Sequence, residues 1–248
     1  MNIGVAIVTF HSERYIEECV ASLRREGLSQ IAIVDSGSAD ATVEKIEKLG
    51  CIYEVSNTNK GFGYSANKAA RLLNTEYVLF INPDTILQEA AVERLQMSMQ
   101  KFQGVGIIGL LLCDINGAPE RMAFGDEPTL LQLLLRHLVP KKIPIAAFVT
   151  DWVSGGAFLI QKKVFDEVNG FDEDFFMYWE DVDLCRRVRE KGYSIVMDPT
   201  AKVTHVRGGS NLHSGTKTKL YRESADRYFK KHYSSTIWRI QRFLRKLQ

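Results

Sequence analysis

Short apolar runs alternate with helical patterns through the first half of the chain. Apolar runs bounded by turn-forming residues predict strands at residues 3–10, 31–35, 52–56 and 77–82. Between and after them, apolar residues recur three and four positions apart, which predicts helices at residues 16–26, 41–49, 64–73 and 90–102. This alternation is typical of an α/β fold whose strands run parallel.

The second half of the chain begins with one more predicted strand, at residues 105–112, and then becomes irregular. Within residues 113–148, the stretch TLLQLLLRHLVPKKIP fits either a buried helix followed by a loop or a contact with a membrane. Regular patterns return as a strand at 152–161, a short helix at 163–168, a helix that continues through Arg189 and a strand at 193–197. We therefore expect one compact α/β unit.

The composition is that of a globular domain, because 248 residues with 45% hydrophobic and 25% charged side chains can bury a full core. The four cysteines are scattered and form no C-x-x-C pair, so we expect neither a disulfide framework nor a zinc cluster. No apolar run approaches the roughly 20 residues that cross a bilayer, and no basic leader precedes the first strand. These features predict a cytoplasmic protein.

The net charge of +2 hides a basic C-terminal segment. Residues 217–248 contain ten basic and two acidic residues, whereas residues 1–216 contain 22 basic and 28 acidic residues. Two interpretations fit: a helix that lies on an anionic membrane surface, or a terminal helix that packs on its own core and exposes a basic face. We expect no nucleic-acid partner, because no nucleic-acid-binding motif accompanies the charge. The apolar face of this predicted helix contains Ile237, Ile240, Phe243, Leu244 and Leu247.

The predicted strand ends carry the residues best suited to bind a ligand. In α/β sheets ligands bind beyond the carboxyl ends of the strands, and those ends here read TFHSE, VDSGSADAT and INPDT. Asp35 could accept hydrogen bonds from a base or sugar, although its segment also fits an ordinary turn with a helix cap. Asp84 could hold a divalent cation that bridges a diphosphate, with His205 as the second ligand. The alternatives are a turn-forming Asp and a structural His.

A glycine-rich segment, NTNKGFGYSANKA, opens the third predicted helix. Gly61, Gly63 and Ala66 have the spacing of a dinucleotide-binding fingerprint, which would indicate an NAD-dependent oxidoreductase. Residues 57–60 separate these glycines from the preceding strand, whereas the fingerprint belongs to the tight turn directly after a strand. The spacing alone is therefore weak evidence for a dehydrogenase.

The segment FFMYWEDVDLCRR places Glu180, Asp181 and Asp183 among aromatic side chains. A carboxylate beside apolar walls loses solvation and becomes more basic, so it can act as a general base near neutral pH. We expect Asp183 instead to form an ion pair with Arg187, one helical turn later.

Seven segments resemble, in order, those of the inverting family 2 glycosyltransferases of the GT-A fold: VAIVTF, VDSGSADAT, NKGFGYSANKA, FINPDT, WVSGGAFLI, FFMYWEDVDLCRR and HVRGGS. The resemblance covers most of residues 3–210. The combination of segments is similar to that of the bacterial rhamnosyltransferase-like branch, which builds cell-surface polysaccharides. It implies an α/β fold with a Rossmann-like, nucleotide-binding mixed sheet flanked by helices. The GT-A domain would span residues 1–215, with a nucleotide-sugar half at 1–112 and an acceptor and catalytic half at 113–215. A basic amphipathic helical tail would follow at 216–248.

The resemblance also implies a role for each matching residue. Asp181 would be the catalytic base, and Asp84 would be the acid of the family's Asp-x-Asp motif that, together with His205, binds Mg²⁺ or Mn²⁺. Asn82 stands in place of the first acid of that motif, so metal binding would depend more heavily on Asp84 and His205. Trp179 and Glu180 would line the acceptor pocket. The full set of implied substrate-binding residues is Thr9, Asp35, Gly61, Gly63, Asn67, Asn82, Gly155, Gly156, Trp179 and Glu180.

The implied reaction moves a sugar, L-rhamnose from dTDP-rhamnose, to a hydroxyl of a lipid-linked or polysaccharide acceptor. Asp181 would deprotonate that hydroxyl, and its oxygen would displace the nucleoside diphosphate in one step that inverts the anomeric carbon. The basic tail would hold the enzyme peripherally on the inner face of the cell membrane. The alternatives are a family member that uses another nucleotide sugar such as a UDP-sugar, an NAD-dependent oxidoreductase, and a non-enzymatic membrane-surface protein.

Overall fold

A computed structural model describes residues 1–120, 123–129, 143–206 and 214–246. The described strands are β1 (Ile3–Thr9), β2 (Ile31–Asp35), β3 (Ile52–Val55), β4 (Tyr77–Ile81), β5 (Thr85–Leu87), β6 (Val105–Cys113), β7 (Phe124–Gly125), β8 (Phe148–Thr150), β9 (Trp152–Val153), β10 (Ala157–Gln161) and β11 (Ser194–His205). The described helices are α1 (Ile16–Arg25), α2 (Thr42–Lys48), α3 (Phe62–Arg71), α4 (Ala91–Lys101), α5 (Lys162–Glu167), α6 (Glu180–Glu190), α7 (Ser214–His232) and α8 (Ser235–Lys246).

A mixed sheet of nine of these strands forms the centre of the described structure, in the order β3-β2-β1-β4-β10-β6-β11-β5, with β8 beside the first part of β11. Strands β1 to β4 run parallel, as the alternating pattern predicts. β10 runs antiparallel between β4 and β6, and β11 runs parallel to β6. The carboxyl ends of β1, β2, β4, β6 and β11 therefore lie at one edge of the sheet, together with the start of β10.

The core follows from the apolar runs of the central strands. β1, β2 and β6 are buried almost from end to end, as expected for strands in a sheet that is covered on both faces. Helix α3 packs on β1 and β2, and α4 packs on β11. Four aromatic rings, Phe80, Phe158, Phe165 and Phe171, join the centre of the sheet to α5 and to the segment before α6. This packing holds the segment that leads into α6, the helix that carries the predicted base.

The predicted helices and strands of the first half are confirmed within two residues at each end. The single strand predicted at 152–161 is wrong, because residues 154–156 separate β9 from β10. β9 pairs with β7 instead of with the central sheet. The strand predicted at 193–197 is longer than expected, since β11 continues to His205 through a register shift after Asp198.

Three short strands are absent from the sequence-based prediction. β5, β7 and β8 contain two or three residues each, too few to show an alternating pattern. Residues 130–142, which hold most of the predicted buried helix or membrane contact, lie outside the described residues. In the described part of the chain, no helix has the length and apolar character needed to cross a membrane.

The basic C-terminal segment forms two helices with different surroundings. Ala225, Tyr228 and Phe229 of α7 are buried in a second apolar cluster with the aromatic segment before α6. This helix thus fits the second interpretation, a helix packed on its own core. On α8, Trp238 packs against the same cluster and Gln241 is buried, whereas Ile240 remains 46% exposed. Three residues of the predicted apolar face have side chains outside the described set: Phe243, Leu244 and Leu247.

Candidate active site

The strand ends predicted to bind ligands meet at one edge of the sheet. Thr9 and Asp35 are register partners at the ends of β1 and β2. The backbone N–H of Asn82 donates to the carbonyl of Gly156 over 2.9 Å. His205 of β11 is the register partner of Thr85 of β5, and Thr85 directly follows Asp84. The nucleotide-side and metal-side candidates therefore share this edge.

Asp35 is completely buried, and protein groups satisfy its carboxylate. It accepts hydrogen bonds from the Thr9 hydroxyl at 2.9 Å, from the backbone N–H groups of Gly37 and Ser38 at 3.0 and 2.8 Å, and from the Ser38 hydroxyl at 2.5 Å. Four donors around one carboxylate hold the turn after β2 in a fixed shape. Thr9 and Asp35 thus shape this turn, and their contact with a nucleotide stays a prediction.

Gly61 and Gly63, at the start of α3, and Asn67, in its middle, contact the segment before α6. A Cβ on Gly61, whose φ is 98°, would lie 2.6 Å from the carbonyl oxygen of Phe176, and one on Gly63 would lie 3.1 Å from Phe171 Cβ. The Asn67 side chain accepts from the Phe171 N–H at 2.8 Å and donates to the Phe171 carbonyl at 2.9 Å. These observed contacts are with protein, and a contact of the three residues with substrate stays a prediction.

Asp84 and His205, the predicted metal ligands, are in direct contact. Asp84 Oδ2 lies 3.2 Å from His205 Nε2, and His205 Nδ1 lies 2.9 Å from Glu120 Oε1. The hydrogen bond with Asp84 raises the pKa of His205 to about 9, and Glu120 adds to this rise although partial burial opposes it. The ring is therefore protonated at neutral pH in this arrangement, and a cation would compete with the proton for Nε2.

The pair of Asp84 and His205 fits a divalent cation in spacing and in chemistry. Neighbouring ligands of octahedral Mg²⁺ are roughly 3 Å apart, and Asp84 Oδ2 and His205 Nε2 are 3.2 Å apart. Glu120, at the other ring nitrogen, is the kind of partner that orients a metal-binding histidine. Within the ranges that the structure describes, no group of three or more His, Cys, Asp and Glu side chains forms a metal site. A diphosphate and water would have to supply the remaining ligands.

Asp181 lies in the first turn of α6, where two backbone N–H groups hold its carboxylate. The Gly155 N–H donates to Oδ2 and the Val182 N–H donates to Oδ1, each over 2.8 Å. Burial raises the pKa of Asp181, and the two donors partly offset that rise. A half-buried carboxylate with a raised pKa is suited to general base catalysis.

Glu180 and Trp179, next to the predicted base, are buried and incompletely paired. Burial, followed by the charges of Asp181 and Asp183, raises the pKa of Glu180 well above its usual range. In the described part of the chain, Glu180 Oε2 and Trp179 Nε1 have no hydrogen-bond partner. The Trp179 ring packs on aromatic residues of α7. The contact of both residues with an acceptor stays a prediction.

Two consecutive glycines connect Asp181 to the edge of the sheet. Gly155 donates its N–H to Asp181, and the carbonyl of Gly156 accepts the N–H of Asn82, in the turn that holds Asp84. A Cβ on Gly156 would lie 3.0 Å from a Leu112 side-chain carbon, so this position favours a residue without a side chain. The predicted base and the predicted metal-binding turn are thus joined by one short backbone link.

Asp183 has more partners than the sequence suggests. Its predicted pair with Arg187 is confirmed, since Arg187 Nε donates to Asp183 Oδ2 over 2.7 Å. His232 and Lys231, on α7, each lie 2.7 Å from Oδ1. These partners could not be found from the sequence, because no local pattern links α6 to α7.

Two glutamates also organise the site without a recognisable sequence signal. Glu120 supports His205, as described above. Glu127 accepts hydrogen bonds from residues of α6 and from the C-terminal segment, and so ties the loop 123–129 to both. Its side-chain donors are Arg186, Arg189, Tyr228 and Tyr233.

Comparison with known proteins identifies related sequences over most of the chain. Residues 4–168 match the family described as glycosyl transferase family 2, and residues 148–208 match the N-terminal domain of galactosyltransferase. The N-acetylglucosaminyl-diphospho-decaprenol L-rhamnosyltransferase of Mycobacterium tuberculosis is 26% identical, over 81% of this chain and 75% of that protein. Rhamnosyltransferase WbbL of Escherichia coli K12 is 24% identical, over 81% of this chain and 82% of that protein.

A solved structure shares the fold at lower identity. The mannosyltransferase PcManGT of Pyrobaculum calidifontis, in complex with GDP-Man and Mn²⁺, has a TM-score of 0.65 at 15% identity, and the match covers 92% of this chain and 63% of that chain. The mixed sheet flanked by helices is thus the GT-A fold, as the resemblance in sequence implies. Because the first family match spans more than half of the chain, this protein belongs to glycosyl transferase family 2.

Proposed function

We propose that the protein is an inverting glycosyltransferase that moves L-rhamnose from dTDP-rhamnose to a hydroxyl of a lipid-linked or polysaccharide acceptor in cell-surface polysaccharide synthesis. The names of the Mycobacterium tuberculosis and Escherichia coli relatives support rhamnose as the sugar. The diphospho-decaprenol in the first of these names supports a lipid-linked acceptor. We set aside the alternative of an NAD-dependent oxidoreductase, because the chain belongs to glycosyl transferase family 2 and the backbone of Phe176 packs directly against Gly61.

The observation that carries this proposal is the link between Asp181 and the turn at Asn82 and Asp84. Gly155 bonds to Asp181 and Gly156 bonds to Asn82. Two residues span at most about 7 Å, so the carboxylate and the turn are near enough for both to contact one bound sugar. In a single displacement the attacking oxygen and the leaving group must be on opposite sides of the same carbon. The arrangement therefore supports a base on one side and a diphosphate site on the other.

The proposed mechanism needs one base. Asp181 accepts the proton of the acceptor hydroxyl while the oxygen forms a bond to the anomeric carbon and the bond to the diphosphate oxygen breaks. The electron pair of that bond leaves with the diphosphate, which needs no proton from the protein, unlike the leaving group of an inverting hydrolase. A divalent cation held by Asp84 and His205 would neutralise charge that develops on the diphosphate. Two backbone N–H groups support the charged form of Asp181, whereas Glu180 Oε2 has no donor among the described residues, so we assign the base to Asp181.

We also propose that α8 holds the protein peripherally against an anionic membrane surface on the cytoplasmic side. Arg239 and Arg242 are exposed on α8 near Ile240. Basic residues of α7 are less suited to this role, because Arg227 and Lys231 form ion pairs with acids of the body. A position at the membrane would bring a lipid-linked acceptor to the active site.

A donor screen tests the proposed reaction. Release of nucleoside diphosphate is measured for dTDP-, UDP- and GDP-sugars, with and without N-acetylglucosaminyl-diphospho-polyprenol and with Mg²⁺, Mn²⁺ or EDTA. We expect the fastest release from dTDP-rhamnose, in a reaction that depends on the acceptor and on the divalent cation. Faster release from a UDP-sugar would replace the proposed donor, and acceptor-dependent release from none of them would contradict the proposed reaction.

A further inference from the structure

We propose that α7 positions the catalytic base, and that His232 does so through Asp183. This inference rests on the function proposed above, in which Asp181 is the base. The matched family segments end at residues 168 and 208, whereas α7 comprises Ser214–His232. The helix nevertheless makes contacts that hold the first turn of α6, and so it completes the site from outside the matched segments.

Asp183 is the point at which α7 holds α6. The side chain is completely buried two residues after the base. Its carboxylate accepts a hydrogen bond from Arg187 of its own helix on Oδ2 and one from His232 of α7 on Oδ1, each over 2.7 Å. Lys231 Nζ lies 2.7 Å from the same Oδ1. A buried carboxylate is costly to separate from its partners, so this contact fixes the position of one helix relative to the other.

The turn that leads into α6 is held by the same helix. Tyr178 and Trp179 both have left-handed backbone angles, with φ of 69° and 66°. Bulky residues persist in this conformation only where the surrounding structure enforces it. The Trp179 ring packs on Tyr228 and its neighbours in α7, and the Ser224 hydroxyl donates to the Met177 carbonyl over 2.7 Å. Helix α7 therefore supports the strained turn from which the base segment starts.

The expected effect of α7 is on orientation, because its contacts end at the neighbours of Asp181. The Asp181 carboxylate takes its hydrogen bonds from Gly155 and Val182. A tilt of the first turn of α6 would lengthen the bond from Gly155 and move the carboxylate away from the acceptor oxygen. The turn after β2, which holds the predicted nucleotide contact Asp35, is fixed by hydrogen bonds from Thr9, Gly37 and Ser38, and none of these comes from α7. Loss of the His232 contact should therefore lower turnover and leave donor binding unchanged.

The test compares His232→Ala and His232→Gln with a matched control, Arg227→Ala. Arg227 also joins α7 to the segment before α6, through an exposed ion pair with Asp174 at 2.7 Å. We expect His232→Ala to lower kcat roughly 10- to 100-fold, the scale expected when a catalytic group is misplaced, with the donor KM unchanged. His232→Gln keeps an N–H donor and should recover most of kcat, and Arg227→Ala should behave as the wild type.

Three kinetic results would overturn the proposal: an unchanged kcat in His232→Ala, an equal loss in Arg227→Ala, or a fall in kcat that comes with an equal rise in donor KM. Hydrogen exchange of the peptide 180–190, read by mass spectrometry, tests the contact without turnover. We expect faster exchange in His232→Ala than in the wild type or Arg227→Ala. If the wild-type protein transfers no sugar, the proposed function fails, and equal exchange in all three proteins separately overturns the role of α7.

Discussion

Asp181 and Asp183 lie two residues apart on α6, and their surroundings shift their pKa values in opposite directions. Burial raises both values, and for Asp181 the backbone donors offset that rise only in part. Around Asp183, His232, Arg187 and Lys231 outweigh burial and bring the pKa down to about 2. One carboxylate is thus suited to accept a proton, while the other stays charged and structural.

Asp183→Asn tests the structural carboxylate. The folded-state pKa of about 2 lies below the usual value near 4, so ionised Asp183 stabilises the fold above about pH 4, and this stabilisation is lost as the pH falls through 4 towards 2. We expect Asp183→Asn to lower the free energy of unfolding by about 2–3 kcal/mol at neutral pH, and by less below about pH 4, in urea denaturation.

The control for this measurement is Asp174→Asn, which removes an exposed ion pair with Arg227. That change should cost less than about 1 kcal/mol. If the difference in unfolding free energy between the wild type and Asp183→Asn is the same at every pH, the charge of Asp183 is not what stabilises the fold.

Most elements of the first half could be predicted because they bury an apolar face, whereas β3 is largely exposed and was predicted from its run of β-forming residues. The apolar runs of β1 and β2 can be recognised in the sequence without knowledge of the strands that pair with them. β5 and β8, in contrast, are defined by pairing with the two ends of β11, and their three residues each carry no period. The packing of α7 also could not be predicted, because its charges suggest a surface helix. One of its faces is buried through the contacts of Tyr228 and Phe229 with the segment before α6.

The membrane contact proposed for α8 can be distinguished from a general effect of positive charge on vesicle binding. We expect Arg239→Glu combined with Arg242→Glu to weaken binding to phosphatidylglycerol vesicles at least about tenfold in a sedimentation assay, since each basic residue at the surface contributes about 1 kcal/mol. Phosphatidylcholine vesicles should not sediment the wild type. The control, Lys219→Glu combined with Lys230→Glu, makes the same change of charge on exposed residues of α7. Equal losses in both double variants would argue against α8 as the contact.

Across the whole molecule, the sequence indicates which strand ends carry the chemistry but not how the groups are supported. Asp84 and His205 were predicted to act together, and the structure places them in contact although 121 residues separate them. Glu120 and Glu127 could not be predicted, because their importance depends on which loops the fold brings beside His205 and α6. The buried hydrogen bonds of Asp35 likewise depend on the pairing of β1 with β2.

Ligand binding should stabilise the whole protein in a way that depends on the metal. With dTDP at about 100 times its Kd and Mn²⁺ present, we expect about 3 kcal/mol of stabilisation, or a rise in Tm of roughly 5 °C or more. EDTA should remove most of this rise, and Asp84→Asn should make it insensitive to Mn²⁺. A rise in Tm of Asp84→Asn that still depends on Mn²⁺ as in the wild type would contradict the assignment of Asp84 as a metal ligand.

The central claim is that Asp181 is the base of an inverting transfer, and the rate of acceptor-dependent nucleoside diphosphate release by Asp181→Asn tests it most directly. We expect transfer to fall about 10²- to 10⁴-fold, with the donor Kd unchanged, because Asn cannot accept the proton but keeps the shape of the site. Asp174→Asn, an exposed change of the same type, should retain the wild-type rate. Transfer by Asp181→Asn at a rate close to that of the wild type would contradict the claim.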